Sequence, residues 1–176
     1  MASILNVDQI NNAAGTSAVT LDATTGKASF PNGATLPAGS VLQVVAQTGS
    51  FSGTVSSLNT FVDLNNGTIT ITPTSSTSKI LVIAGVYGTH QGEDVNSRLR
   101  VTRDGTELKL CQGYGGNGGG NRTYCGFGLY FLDAPASTSQ LTYKAQMSLT
   151  NNGGLGYSNL VLSSTSGGFT LMEIAQ

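Results

Sequence analysis

The sequence predicts an all-β protein: a jelly-roll-like β-sandwich preceded by an extended N-terminal β segment. Three observations carry that expectation. Short runs alternate apolar and polar residues along most of the chain. Proline, glycine and Asn/Asp-Gly turns separate these runs at regular intervals. No window shows a capped i, i+3, i+4, i+7 stripe of helical length. About eight to ten short strands spaced this way imply a sandwich, with the jelly roll as the preferred form.

The element that organises the chain is residues 27–47, KASFPNGATLPAGSVLQVVAQ. Pro31-Asn32-Gly33 and Pro37-Ala38-Gly39 are two stop signals in close succession. They divide a leader, residues 1–39, from a body, residues 40–176. Within the leader, Ile4 to Ile10 alternates loosely, Ala13 to Thr16 turns, Val19 to Asp22 alternates again, and Thr25-Gly26 turns into Lys27 to Phe30. Two or three short strands with so few large apolar side chains are marginal alone. The leader is therefore expected to gain order by packing on other chains, as an attachment and assembly segment. Its apolar residues Ile4, Leu5, Val7, Ile10, Val19, Leu21 and Phe30 are the candidate contacts.

In the body, Val41 to Val45 starts the first strand. Thr60 to Leu64 and Thr68 to Thr72 flank Asn65-Asn66-Gly67, a hairpin signal. Lys79 to Tyr87 (KILVIAGVY) is an unbroken apolar run, read as a central strand buried on both faces with Ile83 inside. Arg98 to Arg103 and Thr106 to Leu110 flank Asp104-Gly105, a second hairpin. Thr123 to Leu132, Gln140 to Leu149, Tyr157 to Leu162 and Phe169 to Ile174 complete the set.

Composition narrows the function. Charged residues are 10 % of the chain and the net charge is −1, against roughly 25 % charged residues in ordinary soluble domains. No electrostatic footprint for nucleic acid or an anionic membrane is present. No apolar run reaches membrane-spanning length, and the N-terminus has neither the basic start nor the apolar core of a signal peptide. Synthesis in a cytosol is expected.

Catalytic candidates are thin, and the chain is expected to be no enzyme. His90, with Glu93 and Asp94, has the chemistry of a base or cation site, but its place after a strand also suits a solvated loop. Gly113 to Gly118 matches G-x-G-x-x-G, yet the run after it reads as strand, and a dinucleotide site needs a helix there. No nucleophile elbow, zincin motif or Walker lysine occurs. Cys111 and Cys125 flank a glycine-rich loop; a disulfide between them and two free thiols both remain open. With a lone distant His they make no zinc set. No cofactor and no metal are expected.

Binding candidates are better. The loop Gly113 to Arg122, with Tyr114, Arg122 and Tyr124 near its ends, carries stacking faces and a fixed charge beside a glycine tract. The Asn151-Asn152-Gly153-Gly154 loop with Tyr157 is similar. Loops on a rigid sandwich are where recognition usually resides.

The series ILNVDQINNAAGT, VTLDATTGKASFPNGATLPAGSVLQVV, ITPTSSTSKILV, LRVTRDGTEL, FLDAPASTSQLTYKAQ and FTLMEIAQ resembles small tail-fibre-like virion structural proteins of tailed bacteriophages, particularly aquatic ones. The resemblance covers nearly the whole chain. It implies a non-enzymatic homotrimeric surface appendage, such as a short tail fibre or fibre tip mediating host attachment. A capsid decoration (cement) protein, clamped to the head through the leader, is the alternative. Expected partners are the chain itself, other tail or capsid proteins, and a host-surface glycan or receptor. The expected place is the virion surface.

Overall fold

The computed structural model describes residues 9–30, 36–47, 49, 51–91, 95–115, 122–151 and 159–176. Side chains are described over these except at 88–91, 95, 114–115, 122–125, 151 and 159–166. Met1–Pro37 and Ala38–Gln176 form separate compact units.

In the first unit, β1 (Gln9–Asn11), β2 (Ser17–Leu21) and β3 (Ala28–Ser29) form a small antiparallel sheet in chain order. Both turns are held by side chains that imitate backbone acceptors. Asn12 Oδ1 accepts from the amides of Ala14 and Thr16, each at 3.0 Å. Asp22 Oδ1 accepts from the Thr24 and Thr25 amides and the Thr25 hydroxyl. No described residue of this unit is buried: Ile10 and Phe30 are exposed, and Val19 and Leu21 are half-buried. Among the described residues its form comes from turn chemistry, with no buried side chain behind it. Ile4, Leu5 and Val7 lie outside the described residues.

The second unit holds ten strands: β4 (Val41–Ala46), β5 (Phe51–Val55), β6 (Val62–Ile71), β7 (Lys79–Gln91), β8 (Val95–Arg103), β9 (Thr106–Gly115), β10 (Arg122–Asp133), β11 (Leu141–Asn151), β12 (Asn159–Ser166) and β13 (Gly168–Ile174). All strand pairs are antiparallel. Setting aside the linking strands β5 and β12, the other eight pair in nested order: β4 with β13, β6 with β11, β7 with β10, β8 with β9. First pairs with last and fourth with fifth, as in one long hairpin rolled up. That is a jelly roll, and it borne out the expected fold class. One sheet is β4-β13-β7-β10 and the other β6-β11-β8-β9; β12 pairs with β7 and β5, and β5 reaches β6.

Period-2 alternation builds the core. Ile80, Val82, Ala84 and Val86 of β7 and Phe169 and Leu171 of β13 face inward. They meet Leu99 and Val101 of β8 and Tyr143, Ala145, Met147 and Leu149 of β11. Phe51 and Phe169 meet edge to face, with ring centroids 6.1 Å apart.

Two expectations are corrected. The double-sided burial of Lys79 to Tyr87 is not found: Val82 is fully buried, but Ile83 is 40 % exposed and Tyr87 half exposed. Alternation sends every second residue to the outer face, and in a two-layer sandwich that face has no second layer. Asn65-Asn66-Gly67 is no hairpin turn either. It is a bulge within β6, because β11 pairs with both halves: Gln146 opposite Asp63 and Lys144 opposite Thr68. Asn66 takes the left-handed conformation at φ 58°. A Cβ at Gly67 would lie 2.8 Å from the Leu64 carbonyl oxygen and 2.9 Å from that of Ala145. The second hairpin is as expected, with Asp104 and Gly105 both at positive φ, the form a two-residue β-turn requires.

Candidate functional site

The registers separate the two ends of the sandwich. At one end lie the Asp104-Gly105 turn, residues 72–78 and residues 134–140. This end is tied by buried polar contacts. Glu173 is fully buried, in phase with Phe169 and Leu171 on β13. Its carboxylate accepts from Gln43 Nε2 at 2.6 Å and from the Thr74 amide and hydroxyl, each at 2.8 Å. Burial opposes its ionisation, but these donors outweigh that and hold the carboxyl below its ordinary value. Asp133 accepts from Arg103 NH1 at 2.6 Å and from the hydroxyl of Tyr143, which is itself fully buried, at 2.6 Å. Burial, then the hydrogen bond to Asp133, pushes the Tyr143 phenol far up. Asp104 and Thr142 exchange two bonds at 2.9 Å.

Two residues mark the other end. Val95 stands opposite both Gly115 and Asn151, while Gln91 stands opposite both Arg122 and Asn159. The strand ends Gln91, Val95, Gly115, Arg122, Asn151 and Asn159 therefore lie together at this end. Of the candidate recognition residues, Tyr114 stands in β9 opposite Asn96. Arg122 and Tyr124 stand in β10 opposite Gln91 and Thr89. All three belong to strand ends, the connection itself being 116–121. Tyr157 lies outside the described residues. His90 is placed by its backbone between Thr123 and Leu160; Glu93 and Asp94 fall outside the described residues. One feature beneath this end is well defined. Gly113 lies under the Phe127 ring, and a Cβ there would come 2.0 Å from a ring carbon. Cys111 is a free, half-buried thiol whose pKa burial pushes up.

The outer faces of the two sheets differ sharply. On β6-β11-β8-β9 the outward side chains are charged and cross-linked. Arg98 donates to Ser148, and Arg100 donates to Gln146 and Glu107. Lys144 and Gln146 both donate to Asp63 and hold its carboxyl below the ordinary range. The Arg100 guanidinium lies 3.7 Å from the centre of the Phe61 ring. On β4-β13-β7-β10 several outward residues are large and apolar, among them Val44, Ile83 and Leu132, with Tyr130 80 % exposed, beside Thr170 and, at the start of β7, Lys79.

Sequence reasoning missed the Glu173 clamp, the Asp133 cluster and the Arg100–Phe61 stack. For Glu173 a signal existed. In Phe-Thr-Leu-Met-Glu-Ile the glutamate shares the phase of Phe169 and Leu171, so strand alternation already turns it inward.

No family model matches the chain, and no curated protein matches it. Among solved structures, the infectious bursal disease virus VP2 subviral particle overlaps with TM-score 0.38 at 15 % identity, over 76 % of this chain and 32 % of that one. The T13 IBDV viral particle overlaps with TM-score 0.33 at 10 % identity, over 89 % and 39 %. The chain thus spans about a third of the length of these structures. Overlaps this low carry no argument about function, and the jelly-roll assignment rests on the nested strand pairing.

Proposed function

We propose that the chain is a non-enzymatic virion structural protein, a homotrimeric surface appendage such as a short tail fibre or fibre tip that contacts the host. The observation that carries this reading is the division of labour in the molecule. A sandwich tied by polar clamps at one end gathers the strand ends that carry Tyr114, Arg122 and Tyr124 at the other, and a separate leader unit has no buried side chain among its described residues. An attachment protein needs a rigid platform for variable loops and a segment that docks elsewhere. The tail-fibre-like motifs agree with it, from the PNG-x-x-LPAGSVLQVV junction to the TLMEI end. The buried carboxylates of Glu173 and Asp133 are committed to structural hydrogen bonds, which also favours a non-catalytic role.

The second reading is a capsid decoration protein held to the head by its leader, favoured by the absence of buried residues in the described leader. Imaging virions that carry a tag on Gln176 distinguishes the two. Label confined to the tail supports the fibre, label spread over the head supports decoration, and particles without label overturn both.

A further inference from the structure

Three glycines stand in register across the outer face of the apolar sheet. Gly128 of β10 lies opposite Gly85 of β7, and Gly85 opposite Gly168 of β13. Glycine inside a strand weakens it and usually answers to a bulge, a positive φ or a close approach. Within the chain a close approach exists only beside the row, where Gly167, at φ 92°, lies so near the Gly85 carbonyl that its own Cβ would fall 2.0 Å from the oxygen; it does not account for the outward faces of the three. The three pair without a register break, and none has a positive φ. A Cβ on Gly168 would meet nothing within 4 Å, and one on Gly85 or Gly128 only ordinary contacts at 3.8 and 4.0 Å. What remains is an approach from outside.

The next outward row is the opposite in shape. Two residues along β10 stands Tyr130, 80 % exposed and in register with Ile83, which is in register with Thr170. A ridge and a trough thus run side by side, roughly 7 Å apart by strand geometry. We propose that this face is a contact between two copies of this chain, with Tyr130 of each seated in the glycine trough of the other. A two-fold axis lying across the strands, midway between the rows, brings each ridge over the partner's trough. Such an isologous contact is self-complementary by construction.

Charge and area single out a second copy as the occupant. The ridge and trough rows carry no charge, so two copies meet without repulsion under any symmetric arrangement; the charged network lies on the other sheet. Four strands over about eight residues give a plan of roughly 500 Å². Side-chain relief brings that toward the roughly 800 Å² per partner of a stable interface, and two sheets stacked face to face take the usual spacing of about 10 Å. The contact stands apart from the virion reading, since it is measured on purified protein.

Sedimentation of the full chain at micromolar concentration tests it. The expected species is even-numbered: a dimer, or a hexamer if the leader also ties three copies. Tyr130→Ser and Gly128→Thr should each halve the mass while keeping the β spectrum, since threonine favours a strand. If Gly128→Thr does not fold, Tyr130→Ser, at an exposed position, carries the same readout. A monomer, as when another partner or the leader covers the face, overturns the proposal. So does an odd-numbered assembly, or an unchanged mass in the variants.

Discussion

Glu173 accepts a 2.6 Å hydrogen bond from Gln43, joining the last strand of the sandwich to the first through a buried carboxylate. Its folded pKa is depressed, so its contribution to stability is present above the unfolded value and lost as pH falls through the folded one. The protein should therefore lose thermal stability on acidification below the ordinary glutamate range. Glu173→Gln should flatten that dependence. Glu173→Ala, which strands the Thr74 amide, should cost about 2–3 kcal/mol at neutral pH. Thermal melts across acidic and neutral pH read both effects; equal pH slopes in wild type and Glu173→Gln would refute the assignment.

Neighbouring residues of β7 should behave oppositely. Val82 is fully buried and Ile83 is 40 % exposed. Val82→Asp buries an unpaired carboxylate at a cost of several kcal/mol, about the stability of a whole domain, and should yield no folded protein. Ile83→Asp should stay soluble and folded, with its effect on self-association. Circular dichroism with sedimentation separates the two; an unfolded Ile83→Asp chain would contradict the outward placement.

Gly67→Ala should destabilise the sandwich by about 1–3 kcal/mol, because the new methyl group meets two carbonyl oxygens inside 3 Å. Gly128→Ala, compared in the Tyr130→Ser background, where its Cβ meets only an ordinary contact at 4.0 Å, should cost less than about 1 kcal/mol. Denaturant midpoints of the pair measure the difference, and similar midpoints would argue against the bulge.

Removing residues 1–37 should leave a folded sandwich, since every buried apolar residue among the described ones lies in the second unit. The cut belongs before Ala38, because the Gly39 amide donates to Ala175 and the Ala175 amide to Ser40. If the leader is the trimer-forming element, the shortened chain should no longer form trimers. Light scattering of both lengths decides it.

Replacing Tyr114, Arg122 and Tyr124 by Ala should leave the fold intact, as all three stand near strand ends, away from the Glu173 and Asp133 clamps. Particles carrying the triple variant should adsorb less if the protein is a fibre. Adsorption should be unchanged, with altered head stability or occupancy, if it decorates the capsid. A variant that fails to fold would remove the recognition reading.

The sequence alone determined what local chemistry controls. Strand alternation, the Asp104-Gly105 hairpin, the leader turns at Ala13 to Thr16 and Thr25-Gly26, and the all-β class all follow from nearest-neighbour backbone and side-chain preferences. The candidate recognition residues could be named from loop composition, though not their shared end of the sandwich. That depends on which strands pair, as do the meaning of Asn65-Asn66-Gly67 and the burial of Ile83. The Asn-Gly step makes a turn or a bulge according to whether β11 runs past both of its sides, and β11 lies some eighty residues away in the chain. Ile83 is inside or outside according to how many layers the sheet acquires. The glycine row is three unrelated glycines in the sequence and becomes a trough only when β10, β7 and β13 align. Pairing between strands so distant is set by the collective burial of one shared core, and no local run of residues encodes that.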